Sequence, residues 1–129
     1  MAFLNRFADH FYSLMRLIVG FLFACHGAQK LFGVLGGPQM LRIPLMLAAG
    51  IIEFFCGLLI ALGVFTAFAA FIASGEMAFA YSLGHAPHGF WPIRNHGELA
   101  VLYCFVFLYI ASRGDGAWNL PHVLKGKGS

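Results

Sequence analysis

Charged side chains are scarce in this 129-residue sequence. Asp, Glu, Lys and Arg make up 10% of its residues, whereas a soluble domain carries about 25%. Hydrophobic residues make up 60%. A soluble globule of this size has too much surface to cover with so few polar groups. The composition therefore excludes an ordinary soluble domain and predicts that lipid covers part of the protein.

The sequence also lacks paired cysteines. Cys25, Cys56 and Cys104 form no CxxC motif, and each lies in an apolar run. Free thiols in such surroundings pack as small hydrophobic side chains, and we favour this interpretation over redox or ligand roles. Basic residues are scattered over the edges of the apolar runs, although the formal net charge is +3. We therefore expect contacts with anionic lipid and no nucleic-acid partner.

Long apolar runs dominate what is present. A membrane-spanning helix requires about 20 predominantly apolar residues. The segments that meet or approach that length cover residues 11–32, 44–62, 65–83 and 97–112. The first carries Arg16 and is not followed by a small-residue cleavage pattern, so we expect a retained helix and no signal peptide. The sequence therefore predicts an all-α fold, a polytopic membrane four-helix bundle that forms one domain over residues 1–129, with a loose polar tail over 113–129.

An even number of crossings would place both termini on the same side of the membrane. Basic residues near the segment ends are slightly more frequent on the terminal side. The terminal side carries Arg6, Arg113, Lys125 and Lys127, and the other side carries Lys30, Arg42 and Arg94. We therefore expect cytoplasmic termini, with the histidine-rich loop 84–96 on the outer side.

Each apolar segment carries an ionisable group, in spite of the energetic cost of charge within a membrane. These groups are Arg16, His26 and Lys30 in the first segment, Glu53 in the second, Glu76 in the third and Glu98 at the start of the fourth. At about 100° per helical residue, the three basic groups of the first segment share an arc of about 80°. Ionisable side chains in spanning helices face the protein interior and mark functional sites by default.

The depth of the two central carboxylates follows from the short link at Gly63. Glu53 and Glu76 lie at similar distances from this link along their helices, which puts both about 15 Å from the same surface. The groups in the half of the membrane that faces the long loops are His26, Lys30, Glu98, His85, His88 and His96. We therefore predict a polar cluster that opens toward the long loops, with Glu53 and Glu76 deepest.

More than one role is compatible with such a cluster. Two level carboxylates in a medium of low dielectric do not both ionise unless a cation neutralises them, which is typical of a proton relay or a pocket for a polar head group. A network of ion pairs that only sets the register of the helices is the alternative. Metal binding by His85, His88 and His96 is disfavoured, because no zinc-type spacing is present. Haem ligation by His26 and His96 is disfavoured further, because no second helix carries a deep histidine.

Five blocks of the sequence resemble the DoxX family of small bacterial integral membrane proteins. The blocks are RLIVGFLFACHGAQKLFG (16–33), GIIEFFCGLLIALGVFT (50–66), GEMAFAY (75–81), HAPHGFWPIRNHGELA (85–100) and FLYIASRGDGAWNL (107–120). The resemblance implies a four-helix bundle in the bacterial inner membrane. Some relatives resemble a subunit of thiosulfate:quinone oxidoreductase, and others are associated with membrane redox or thiol-stress complexes. The resemblance thus implies a quinone-linked or redox-partner role, with functional positions at Arg16, His26, Lys30, Glu53, Glu76 and Glu98.

Two function classes follow from these observations. The first is a membrane subunit or accessory factor of a redox system, whose cavity holds a quinone head or a small acid and moves protons between the acidic groups and the basic stripe. Its partner would be a redox protein or a second copy of the chain. The second is a non-catalytic scaffold or assembly factor. A small-solute or metal-handling role through the loop histidines is a third hypothesis, and no self-sufficient catalytic motif is present.

Overall fold

A computed structural model describes residues 1–126, and these residues fold into helices and connecting turns without a β-strand. The long helices are α1 (Ala8–Phe32), α2 (Pro44–Leu62), α3 (Thr66–Gly84) and α4 (Glu98–Arg113). Short helical turns cover Ala2–Asn5, Ala86–His88, Pro92–Asn95 and Leu120–Gly126. The long helices correspond to the apolar segments of the sequence, and α1 begins three residues before the predicted segment.

Three of the helices in the described part of the chain are long and apolar enough to cross a membrane. They are α1, α2 and the segment Thr66–His88, which contains α3. Helix α4 has 16 residues, which corresponds to about 24 Å at 1.5 Å per residue. This length is less than the roughly 30 Å thickness of the hydrocarbon core. Of the four expected crossings, three correspond to helices that are long enough to span a membrane.

The link between α2 and α3 is a tight reversal of the chain. Pro44 starts α2 at the position where its missing N–H costs nothing. Gly63 ends α2 with a φ of 72°, a left-handed conformation that glycine adopts without strain. Phe65 follows with a φ of 49° and precedes the first turn of α3. Because the link is so short, α2 and α3 run antiparallel.

The helices pack in pairs through small residues and aromatic rings. Helices α1 and α2 touch backbone to backbone, since a Cβ atom on Gly57 would lie 2.5 Å from the backbone nitrogen of Ala24. The hydroxyl of Ser74 in α3 donates to the Cys104 carbonyl oxygen in α4 at 2.7 Å. Between α1 and α4, the ring centroids of Phe23 and Phe107 are 4.6 Å apart. Both of these phenylalanines are fully buried at the centre of the core.

The segment after α4 folds back onto the first helix. Trp118 donates its backbone N–H to the hydroxyl oxygen of Ser13 at 3.2 Å, and its indole N–H to Nδ1 of His10 at 2.9 Å. Arg113 lies 3.2 Å from the Asp9 carboxylate. The expectation of a loose tail is therefore wrong for residues 114–119, because side chains of α1 bind their backbone. Residues 127–129, including Lys127 and the end of the predicted tail, lie outside the described residues.

Candidate functional site

A cavity of about 330 Å³ lies among the four long helices, in the half of the structure remote from Gly63. We call it the polar cavity. The acidic and basic side chains that line it are His26, Lys30, Glu53, Glu76, His85 and His96. Each long helix contributes to the wall, since α4 supplies Tyr103. Four of the six residues that the sequence singles out from its apolar segments thus meet at one site.

Lys30 and Glu53 form an ion pair in the wall of the polar cavity. Lys30 Nζ lies 2.8 Å from Oε1 and 2.7 Å from Oε2 of Glu53. The Glu53 side chain is 4% exposed and that of Lys30 is 21% exposed. Gly50 lies one turn before Glu53, and a Cβ atom there would be 3.0 Å from the Lys30 Cβ. The missing side chain at position 50 therefore lets the lysine stem pass across α2 to its carboxylate.

Glu76 has a different environment from Glu53. Within residues 1–126, its buried Oε2 atom has no hydrogen-bond donor. Lys30 and Glu53 are close enough to act on it electrostatically, but Lys30 already contacts both oxygens of Glu53. An unpaired buried polar atom costs about 1–3 kcal/mol in a folded protein. The Oε2 atom of Glu76 is thus a hydrogen-bond acceptor in the wall of the cavity that no group within residues 1–126 pairs.

Two rings, from α1 and α4, meet in the wall of the polar cavity. The His26 and Tyr103 ring centroids are 6.1 Å apart, with nearly perpendicular planes. Tyr103 is buried and stacks on Phe107 at a centroid distance of 5.4 Å. Sequence reasoning did not identify Tyr103. A helical spacing was available as a signal, because Ala100, Tyr103, Phe107 and Ile110 form the buried stripe of α4.

The loop that follows α3 borders the polar cavity through His85 and His96 and is organised by Asn95. The Asn95 side chain is 3% exposed. Its amide nitrogen donates to the Tyr81 hydroxyl at 3.1 Å and to the Gly89 carbonyl at 2.9 Å, and its oxygen accepts from the Gly97 backbone at 2.9 Å. His85 Nδ1 donates to the Asn95 carbonyl at 3.0 Å. Sequence reasoning missed Asn95 as well, because nothing in its neighbourhood indicates that a loop amide is buried.

Three of the residues that the sequence singles out lie outside the polar cavity. Glu98 and His88 are exposed and do not line it. His85 and His96 do line it, but no group of three His, Cys, Asp or Glu side chains among residues 1–126 could hold a metal ion. The third residue outside the cavity is Arg16.

Arg16 lies at the opposite end of α1 and is fully buried. Its Nη1 atom donates to the Asp115 carbonyl oxygen at 2.8 Å, and Nη2 donates to the Trp118 carbonyl oxygen. The Asp115 side chain in turn accepts from the Thr66 backbone N–H at 3.2 Å. Arg16 is therefore bound to the segment after α4 and does not reach the central carboxylates. One helical face carries both Arg16 and Lys30, but 14 residues separate them, which is about 21 Å along the axis.

Comparisons with known proteins place the chain in a family. The family model described as DoxX matches residues 11–86, more than half of the chain. A curated protein of Haemophilus influenzae, described as an uncharacterized protein, is 41% identical over 126 residues, which cover 92% of this chain and 94% of that protein. No solved structure matches. Together with the three apolar helices, these matches indicate a membrane protein, and the chain belongs to the DoxX family.

Proposed function

We propose that this protein is a membrane subunit or accessory factor of a quinone-linked redox system, and that the polar cavity binds the head of its ligand. The observation that carries the proposal is the convergence of Lys30, Glu53 and Glu76, from three different helices, on one cavity. Charge within a membrane is retained where it serves a site. A cavity of about 330 Å³ is of the size that holds a small polar head.

The residues of the polar cavity can supply the contacts that such a head requires. His26 and Tyr103 offer donors for carbonyl oxygens, and Glu76 offers a carboxyl group that can accept a hydrogen bond or relay a proton. A bound quinone would carry the electrons and protons of the redox system. The chain has no self-sufficient catalytic motif, so a partner subunit would supply electrons while this protein would bind and orient the head.

The proposal includes a four-helix bundle in the bacterial inner membrane. In it α4 crosses with little tilt because it is the shortest of the four helices, and both termini face the cytoplasm. Contacts between the start of α1 and the end of α4 support termini on one side, namely the Asp9–Arg113 ion pair and the His10–Trp118 hydrogen bond. The proposed partners are the lipid bilayer and either a redox protein or a second copy of the chain.

A binding titration in lipid nanodiscs tests the proposed site. A benzoquinone with a decyl tail is titrated into the purified protein, and the dissociation constant is measured as a mole fraction of lipid. We expect the double variant Lys30→Met/Glu76→Gln to bind at least about tenfold more weakly, because a lost hydrogen bond to a charged group is worth 1.5 kcal/mol or more.

The matched control makes the same two changes of side-chain chemistry outside the cavity. Arg94→Met/Glu98→Gln alters one basic and one acidic residue that are exposed and do not line the cavity. This variant should bind as the unmodified protein does. Binding that survives the Lys30 and Glu76 changes together would refute the proposed site.

A scaffold or assembly factor is the second candidate function. The ion pair of Lys30 with Glu53 favours it, since ion pairs of this kind can specify helix register without any further role. Under this function, Glu53→Gln lowers stability, and any loss of a redox phenotype follows the amount of protein in the membrane. A loss of phenotype at unchanged abundance would favour the ligand site.

A further inference from the structure

A second, larger cavity adjoins the polar cavity between α2 and α3. It measures about 480 Å³, and we call it the apolar groove. Apart from Glu76, its lining is formed by aliphatic and aromatic side chains and one glycine. Representative residues are Leu45, Ala48 and Ile52 on α2 with Ile72, Phe79 and Leu83 on α3. Leu45, Ala48, Phe79 and Leu83 are exposed on the outer surface, so the groove faces the acyl chains of the bilayer.

The groove exists because α2 and α3 do not close against each other along their whole length. The turn at Gly63 holds the two helices together at one end, and the groove residues other than Ile72 lie in the halves remote from it. On its other side, α2 is held tightly to α1, where a Cβ atom on Gly57 would lie 2.5 Å from the Ala24 backbone. Helix α3 is tied to α4 through Ser74. Helix α2 is thus packed on α1 and helix α3 on α4, and the apolar groove remains between α2 and α3.

The polar cavity and the apolar groove share a wall. Met46, Ala49, Glu76 and Ala80 line both. Two of these residues are alanines, so little side-chain bulk separates the two spaces. Glu76 lies at the junction, and its Oε2 atom has no hydrogen-bond donor among residues 1–126. A polar space and an apolar space therefore meet at a group that needs a hydrogen-bonding partner.

We infer that the ligand of the polar cavity is an amphiphile that enters sideways from the bilayer between α2 and α3, with its apolar tail held in the groove. This inference rests on the proposed function. A bulk acyl chain cannot satisfy Glu76, whereas an amphiphile with a hydroxyl or carbonyl head brings polar atoms to it. Six acidic or basic side chains line the polar cavity, whereas the groove that adjoins it is apolar and suits the tail.

The substitution Ala48→Phe tests side entry because Ala48 lines the groove and not the polar cavity. Two probes are titrated in lipid nanodiscs, a dimethoxy-methylbenzoquinone without a tail and the same compound with a decyl tail. The variant should bind the decyl compound about tenfold more weakly, because the added ring occupies the part of the groove that the methylene groups of the tail would fill. It should bind the tail-less compound as the unmodified protein does. The matched control is Ala78→Phe, an exposed position on α3 that lines neither space.

Photolabelling of the unmodified protein keeps the inference testable if Ala48→Phe does not fold. A decyl compound with a diazirine in its tail should label peptides that contain Leu45, Ala48, Phe79 or Leu83. Labelling confined to other surfaces, or an Ala48→Phe effect that is equal for the two probes or absent for both, would overturn side entry and leave the polar cavity as the binding site. If the unmodified protein bound neither probe, the proposed function itself would fall.

Discussion

Lys30 and Glu53 show how single residues make burial of charge tolerable in this protein. Each charge alone would be costly in an apolar interior, and together they form a close pair at 2.7–2.8 Å. The buried charge of Arg16 is stabilised in another way. The backbone carbonyl oxygens of Asp115 and Trp118 accept hydrogen bonds from its Nη1 and Nη2 atoms. Glu76 differs from the Lys30–Glu53 pair, since its buried Oε2 atom has no hydrogen-bond donor within residues 1–126 and no cation of that part of the chain forms an ion pair with it.

The ion pair yields a prediction on stability. Glu53→Gln should lower the free energy of unfolding in detergent by about 3 kcal/mol, because it leaves the partly buried Lys30 ammonium without its carboxylate. Lys30→Met together with Glu53→Gln should cost clearly less than the sum of the single changes, with a coupling of about 1 kcal/mol or more. Unfolding of the four proteins in a double-mutant cycle measures this coupling.

A control for the ion pair uses the same change at an exposed acid. Glu98→Gln should alter the unfolding free energy by no more than about 0.5 kcal/mol, as is typical of surface substitutions. Additive effects at Lys30 and Glu53 would show that the pair does not stabilise the fold.

The residues of the site were predictable to different degrees. His26, Lys30, Glu53 and Glu76 could be singled out because a charge in an apolar segment is conspicuous whatever the fold. Arg16 shares a helical face with Lys30, so helical spacing alone places the two side chains in one cluster. Only the tertiary structure shows that the segment after α4 binds Arg16. The burial of Asn95 could not be predicted, because it depends on how the loop folds, which no local sequence pattern indicates.

At the level of elements, glycine decides how closely α1 and α2 approach. A Cβ atom on Gly27 would collide with the backbone nitrogen of Phe54, and one on Gly57 would lie 2.5 Å from that of Ala24. Small residues at such contacts let membrane helices pack without a hydrophobic driving force. Gly75 on α3 differs, since a Cβ atom there would meet no atom within 4 Å.

This difference predicts opposite effects of one substitution at two glycines. Gly57→Ala should destabilise the protein by about 1–3 kcal/mol, because the backbones of α1 and α2 must move apart. Gly75→Ala should be neutral or stabilise α3 by up to about 1 kcal/mol through helix propensity. Thermal unfolding of both variants in one detergent provides the comparison. Similar shifts for the two variants would contradict the close contact of α1 and α2.

At the level of the whole molecule, two helix pairs enclose one polar space. Helix α1 is packed on α2 and α3 on α4, while rings of α1 and α4 meet in the core. The tight turn and the Arg16 contacts close the end at Gly63, and the cavity lies toward the long loops. A spanning bundle built in this way would present its site to one side of the membrane only.

The proposed topology can be tested with a membrane-impermeant maleimide in a chain whose three cysteines are replaced by alanine. His88→Cys should react in intact cells, because the loop after α3 faces outward in the proposed topology. Ala2→Cys and Ala117→Cys should react only after the membrane is permeabilised, because both termini then lie inside. Labelling of these two positions from opposite sides would mean an odd number of crossings.

Composition and periodicity suffice for the helical class, the apolar helices and the choice of Lys30, Glu53 and Glu76, because these properties follow from the cost of charge and of unpaired backbone in an apolar medium. The tertiary structure decided which charges meet. In that structure Arg16 binds the backbone of Asp115 and Trp118, and Glu98 lies outside the cavity. Tyr103 lines the cavity, and Asn95 binds His85 at its border. The physical reason is that a helix face sets only the direction of a side chain, whereas its partner depends on which element packs there.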